Sequence, residues 1–421
     1  MTPEEPPLRR PTLLKQLGPG LITGAADDDP SGIATYSQAG AQFGFGLLWT
    51  LVLTYPLMTA VQLVSARIGR VTDAGLARNM LKVLPVWAVL GLVGLLFVAN
   101  TINIGADLAA MGAAAELVLG WGDHVFTAVF ALVSLGLQIF VPYHRYAAIL
   151  KWLTLVLLAY VALILMIHVD WAAVGWGMVW PTIAGTAAIT TVVALFGTTI
   201  SPYLFFWQSS QEVEELDQDK SMHALNDAPG EAAGAFRRIS FDTFAGMAVS
   251  NLVALAIMIG TAATLHASGR TDIQTAADAA DALRPVAGQF AFLLFSLGII
   301  GTGMLAIPVL AGSAAYAIGE ALGWTIGLDR KPLEAKGFYT VVGAATLLGI
   351  GIDWSPIDPI KALFWSAVIN GVVAVPIMAV MMIVVSRKST MGAYTASFGL
   401  RFFGWTATAV MAAAAVAMFA M

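Results

Sequence analysis

The stretch TGAADDDPSGIATY, residues 23–36, sets Asp27, Asp28, Asp29 and a proline–serine–glycine break inside a segment otherwise apolar enough to cross a membrane. Inside a helix a proline costs about 3 kcal/mol, and unwound backbone in lipid leaves further polar groups without partners. A carboxylate at the bilayer centre adds at least roughly 2.5 kcal/mol, so the three aspartates cannot face lipid. Freed carbonyls beside a carboxylate make an oxygen cage for a cation. A plain proline kink is the other reading of such a break. It is weakened by a second break downstream, GTTISPYL (residues 197–204), where a proline again sits among small and hydroxyl residues in an apolar run. Two broken helices in corresponding positions point to an inverted repeat whose breaks meet at a binding site near the membrane midplane.

The composition around these breaks is that of a polytopic membrane protein. Of 421 residues, 58% are apolar and 11% charged, with a mean hydropathy of +0.80, which is more apolar surface than a soluble core buries. Runs such as LLWTLVLTYPLMTAVQLVSA are long enough for helices crossing roughly 30 Å of hydrocarbon. An outer-membrane barrel would show short alternating strands instead. The fold class expected is therefore all-α. There is no cysteine, which removes disulfides, thiolate metal sites and cysteine nucleophiles together. His124, His144, His168, His223 and His266 fall near expected span ends or in loops. The first residues, MTPEEPPLRRPTLLKQ, lack a basic segment, short apolar stretch and cleavage site in series, so they read as a cytoplasmic tail and not a signal peptide. The net charge of −5 says little about partners.

Hydropathy gives about eleven spans, near 14–44, 46–68, 84–111, 124–143, 149–169, 187–211, 240–264, 286–318, 337–352, 361–386 and 395–420. With the N-terminus inside, Arg and Lys gather in cytoplasmic segments, among them Arg9, Arg10, Arg67, Arg70, Arg237 and Arg238. The outside keeps only Arg270, Arg284 and Lys361, as the positive-inside rule demands of a multi-pass plasma-membrane protein. One membrane domain over residues 1–421 is expected, with 14–169 as the first repeat, 187–386 as the second and 395–420 as an additional peripheral helix. The polar stretch 211–238 reads as a solvated cytoplasmic connector with an amphipathic segment, and the aromatic run YLFFW as bulk facing lipid and core.

These residues resemble the natural resistance-associated macrophage protein (Nramp) divalent metal transporters. The likeness is densest over GPGLITGAADDDPSGIATYSQAGAQFGFGLLW, and the span pattern extends it over nearly the whole chain. The family's first-span motif reads Asp-Pro-Gly-Asn, where this chain has Asp29, Pro30, Ser31 and Gly32. Its sixth-span motif reads Ala-Thr-Val-Met-Pro-His, where this chain runs from Thr198 through Thr199, Ile200, Ser201 and Pro202 to Tyr203. The third-span segment IGADLAAM resembles the family's Thr-Asp-Leu-Ala-Glu, keeping the acid as Asp107 and replacing the second by Ala110. The tenth span lacks the usual glutamine near Val373 and offers Asn370 instead.

The resemblance implies a leucine-transporter-like 5+5 fold with broken first and sixth helices. It implies a metal site of Asp29, Gly32 in place of a ligating asparagine, the Thr198 carbonyl, and Ser201 in place of a ligating methionine. Tyr203 stands where the family has a histidine linked to proton movement. Asp28, Asp27, Thr199, Tyr203, Asn370 and Asp107 are candidates for the surroundings of that site or its vestibule. Asp27 and Asp28 read equally as structural acceptors for freed amides, Asp107 and Asn370 as helix-packing polar groups, and Tyr203 as packing for Phe205 and Phe206.

A hydroxyl in place of a thioether shifts a site toward hard cations. Loss of the asparagine and methionine is also expected to enlarge the cage to suit magnesium, which keeps its waters. The pattern therefore resembles the Nramp-related magnesium transporters. The expected function is divalent-cation import by alternating access, Mg2+ first and Mn2+ second, with weak or no proton coupling and no cofactor. The expected partners are the metal ion and the bilayer, not nucleic acid, with the monomer as the working unit. The alternatives are a proton-coupled Mn2+/Fe2+ importer in which Asp28 and Ser201 stand in for the lost ligands, an intramembrane enzyme with paired carboxylates, and an organic-solute carrier of the same fold. Neither a Ser/His pair nor a histidine metal motif supports the enzyme.

Overall fold

The computed structural model describes residues 19–420 except 143–144, 146–152, 184, 219–221 and 355, so the expected cytoplasmic tail and His144 lie outside the described residues. The first expected span is divided between α1 (Pro19–Asp27) and α2 (Pro30–Phe43). It is followed by α3 (Trp49–Thr72), α4 (Val86–Leu119), α5 (Asp123–Phe140) and α6 (Leu158–Met166). The sixth span is likewise divided, into α7 (Gly185–Thr199) and α8 (Pro202–Gln218). After these come α9 (Ala232–Thr264), α10 (Ala291–Leu322), α11 (Lys336–Asp353), α12 (Pro359–Ser386) and α13 (Phe398–Ala420).

Among the described residues, eight helices are long and apolar enough to cross a membrane, or nine if Leu155–Met166 and Trp171–Val179, bent by 119°, make one span. The difference from the eleven expected has a local origin. The halves α1 and α2 are each short, and the charged ends of α11, Lys336 and Asp353, lower its mean hydropathy. Burial orders the helices: the central window of α7 and α8 is 89% buried, against 22% for α5 and 28% for α13. The broken helices thus sit at the centre, and α5 and α13 give most of their surface to lipid.

Each broken helix packs on a helix from the other half of the chain. The pair α1 and α2 lies on α9, and α8 lies on α3, with the Ser65 hydroxyl donating to the Phe205 carbonyl. Close approach is set by small residues, as in membrane bundles generally. A Cβ on Gly24 would overlap the Gly246 carbonyl, and one on Gly197 would overlap the Ala367 carbonyl and the backbone of Gly371.

Two expectations are corrected. The stretch 211–238 is not a solvated connector throughout, because α8 runs on to Gln218 and α9 begins at Ala232. Glu212 is buried there and accepts a 2.7 Å ion pair from Arg238, which also reaches Glu215 at 2.8 Å. The aromatic run Tyr203–Trp207 faces protein alone, since all five side chains are buried.

Candidate metal site

The first break is made by Asp29 itself. Helix α1 ends at Asp27, and Asp29 takes an extended conformation (φ −68°, ψ 170°) as the N-cap of α2 with Pro30 next to it. A proline at the first helical position loses no hydrogen bond, so Pro30 starts a helix instead of kinking one. The expected interior-proline cost does not apply, and Pro202 opens α8 in the same way. The Asp29 carboxylate caps α2 through one oxygen, which accepts from the Gly32 amide at 2.8 Å and the Ser31 hydroxyl at 2.6 Å. Its other oxygen accepts from Asn103 of α4 at 3.0 Å.

The two breaks meet. A Cβ placed on Gly32, in the first turn of α2, would lie 3.2 Å from Thr198 Oγ1 at the end of α7. In the opposite sense, the Tyr203 hydroxyl at the start of α8 donates to the Ala26 carbonyl at the end of α1, at 3.1 Å. Four half-helix ends therefore come together, with one hydrogen bond between them, around a point where Asp29, Thr198 and Ser201 are all buried. Two of those ends present carbonyls and carry the negative pole of the helix dipole, which favours a cation. The Ser201 hydroxyl lies 2.8 Å from the Gly197 carbonyl and 2.9 Å from that of Thr198. Its single hydrogen serves one of these two carbonyls at a time.

The other candidates divide. Asp107 is buried and joined to Asp29 through Asn103, whose amide also reaches Asp107 Oδ2 at 3.2 Å. Asn370 donates to Asn103 Oδ1 at 3.4 Å, which brings α12 into the same chain of polar groups. Thr199 turns back to the Leu195 carbonyl at 2.8 Å and belongs to its own helix. Asp27 and Asp28 share the Ser250 hydroxyl of α9, at 2.7 and 3.1 Å. The expected enlarged cage is not found at Gly32, where Thr198 Oγ1, the Asp27 carbonyl and the Tyr36 ring would each lie 3.2–3.3 Å from an added Cβ. Tyr36 and Thr198 have taken the space. Sequence reasoning missed Asn103 and Ser250. The spacing of Asn103 and Asp107, four apart and so on one helix face, was the available signal for the first; nothing local marks the second. Among the described residues no three His, Cys, Asp or Glu side chains gather as a metal cluster.

Access differs between the two ends of the bundle. A cavity of about 360 Å³ runs between α2, α7 and α12, lined by Gln38, Gln42, Thr191, Asp272 and Lys361. It reaches Ala34, about one turn from Pro30. At the other end a cavity of about 610 Å³ reaches Ser210 of α8, and α1 is tied to its neighbours: the Gly20 amide donates to Asp242 of α9 at 2.6 Å, and Thr23 donates to Gln208 of α8 at 2.7 Å.

A family model described as "Natural resistance-associated macrophage protein-like" (Nramp) matches residues 20–421. A relative from Yersinia pestis (strain Pestoides F), named "Divalent metal cation transporter MntH", is 31% identical over 319 residues, 73% of each chain. One of the same name from Burkholderia ambifaria is 27% identical over 417 residues, covering 95% of this chain and 87% of its own. Among solved structures, the Eremococcus coleocola manganese transporter in complex with an aromatic bis-isothiourea compound superposes with a TM-score of 0.75 at 17% identity, over 96% of this chain and 86% of its own. Mhp1, a nucleobase-cation-symport-1 family transporter in a closed conformation, gives 0.59 at 10% identity, over 96% and 92%. At such identities the structural likeness carries the fold alone, the inverted repeat with broken first and sixth helices.

Proposed function

The chain belongs to the Nramp family, and from that premise we propose that it is a divalent metal cation transporter of the plasma membrane, working by alternating access. The observation that carries this reading is the meeting of the two breaks, Gly32 against Thr198 and Tyr203 against Ala26, around the buried carboxylate of Asp29. The relatives' names support transport over enzymatic chemistry. The ion is held by Asp29, the Thr198 carbonyl and Ser201, with Gly32 contributing close backbone approach and no side-chain ligand. With the N-terminus in the cytoplasm, the cavity by Lys361 and Asp272 opens outward, and on the inner side α1 is tied to Asp242 and Gln208. Import then requires α1 to leave α8 and α9. The monomer suffices, because both breaks and the vestibule come from one chain.

Magnesium is the preferred ion on the hardness of the donors, all oxygen, and no longer on the size of the cage. Substitution of Asp28 for a lost ligand finds little support, since its carboxylate is turned to Ser250. Proton coupling is weak or absent, because Tyr203 is tied to a backbone carbonyl and Ala110 carries no acid. Proteoliposomes loaded with a pH-sensing dye test both points. Inward Mg2+ flux is expected to exceed Mn2+ flux under an imposed negative-inside potential, with no acidification of the lumen. Faster Mn2+ flux accompanied by acidification restores the proton-coupled transition-metal importer.

A further inference from the structure

A cleft of about 610 Å³ lies between the end of α12 and the start of α13, lined by Ser386 of α12 and by Phe398, Arg401, Phe402, Trp405 and Ala409 of α13. Ser386 is roughly 24 Å along α12 from Asn370, so the cleft is remote from the two breaks. The α13 positions recur at three- and four-residue intervals and form one helix face about 16 Å long. Phe398, Phe402 and Trp405 are 78%, 55% and 43% exposed, and the first two rings stack with centroids 6.5 Å apart. The walls are fixed. A Cβ on Gly404 would lie 2.4 Å from Met382 Sδ, so the two helices approach closely there. The turn between them is held by the Ala396 amide, which donates to the Val385 carbonyl at 3.1 Å. Arg67 of α3 donates to the Tyr394 and Thr395 carbonyls of the same turn, at 3.3 and 3.4 Å.

Positive charge gathers at this end of the cleft without a partner. From Pro359 to Met421 the chain has no Asp or Glu. Arg387, Lys388 and Arg401 are exposed, and none of them pairs with a carboxylate among the described residues. Arg70 and Arg238, at the same end of the bundle, do have such partners, in Glu231 and in Glu212 with Glu215. An arginine one turn inside a membrane helix, flanked by aromatic side chains, stands at headgroup depth. We infer that the cleft is a binding site for one anionic phospholipid of the cytoplasmic leaflet. Arg401 holds the phosphate, for which a guanidinium has the matching pair of donors. Arg387 and Lys388 add the charge that selects an anionic headgroup over a zwitterionic one. One acyl chain lies along Phe402, Trp405 and Ala409. A symmetric second copy on this face would set two basic ends against each other at one depth, which disfavours it as the occupant.

The choice of leaflet rests on the orientation proposed above; the site does not, and its test needs no metal ion. The full chain, delipidated in detergent, is titrated by native mass spectrometry with phosphatidylglycerol and phosphatidylcholine of identical acyl chains. The wild type is expected to bind the first phosphatidylglycerol about tenfold more tightly. Arg387→Gln combined with Arg401→Gln is expected to bring the two affinities within about twofold. Lys336→Gln, which removes an exposed charge elsewhere at the same end, is expected to keep the preference. Equal affinities in the wild type, or a full preference in the double variant, overturns the site. Trp405 supplies a reading that needs no change of charge: phosphatidylglycerol brominated on its chains is expected to quench the wild type more than Trp405→Phe, and equal quenching overturns the placement of the chain. A dimer in the spectra that Phe402→Ala dissociates would give the cleft to a second copy and overturns the proposal as well. Failure here leaves Asp29-dependent flux in place, and failure of the transport reading leaves the lipid preference in place.

Discussion

Asp29→Asn is expected to reduce divalent flux and binding by more than about 100-fold while leaving the fold intact. Removing one partner of a buried charge pair costs roughly 3–5 kcal/mol, and each 1.4 kcal/mol is about tenfold in affinity. The substitution is chosen because asparagine caps helices about as well as aspartate. Its amide oxygen can still accept from the Gly32 amide, so α2 keeps its start. Asp29→Ala loses the cap as well, at about 1 kcal/mol, and would confuse stability with binding. Liposome flux read beside a melting curve separates the two. Flux within about twofold of wild type would remove Asp29 from the ion site.

Ser201→Met is expected to move selectivity toward Mn2+ over Mg2+ by about tenfold. The thioether is a soft ligand and favours transition metals. The substitution also withdraws the hydroxyl whose single hydrogen serves the Gly197 or the Thr198 carbonyl. Competition between the two ions in a binding titration measures the change. An unchanged Mg2+/Mn2+ ratio in a folded variant would show that position 201 does not face the ion.

Much of this arrangement was legible in the sequence. A proline with carboxylates or hydroxyls in an apolar run has few uses in a membrane, and both breaks fell where DDDPSG and GTTISPYL placed them. The part played by each proline was not legible, because an interior kink and a helix start differ only in the conformation of the preceding residue. Residues that act across the bundle were also hidden. Ser250 is an ordinary serine in an apolar helix until α1 is laid against it, 223 residues away in sequence from Asp27. Tyr203 read as either a proton-site replacement or packing, and it proved to hold the end of α1 through Ala26. Space at Gly32 was misjudged for the same reason. A missing side chain suggests a void, yet Tyr36 and Thr198 close on the position from two helices.

The decisive measurement is the position of the ion. Crystals of the full chain soaked in Mn2+ and recorded at the manganese absorption edge should show an anomalous peak between α2 and α7, within roughly 2.0–2.6 Å of an Asp29 oxygen and near the Thr198 carbonyl and Ser201. A peak elsewhere, with none beside Asp29, would contradict a cation site built from the two broken helices.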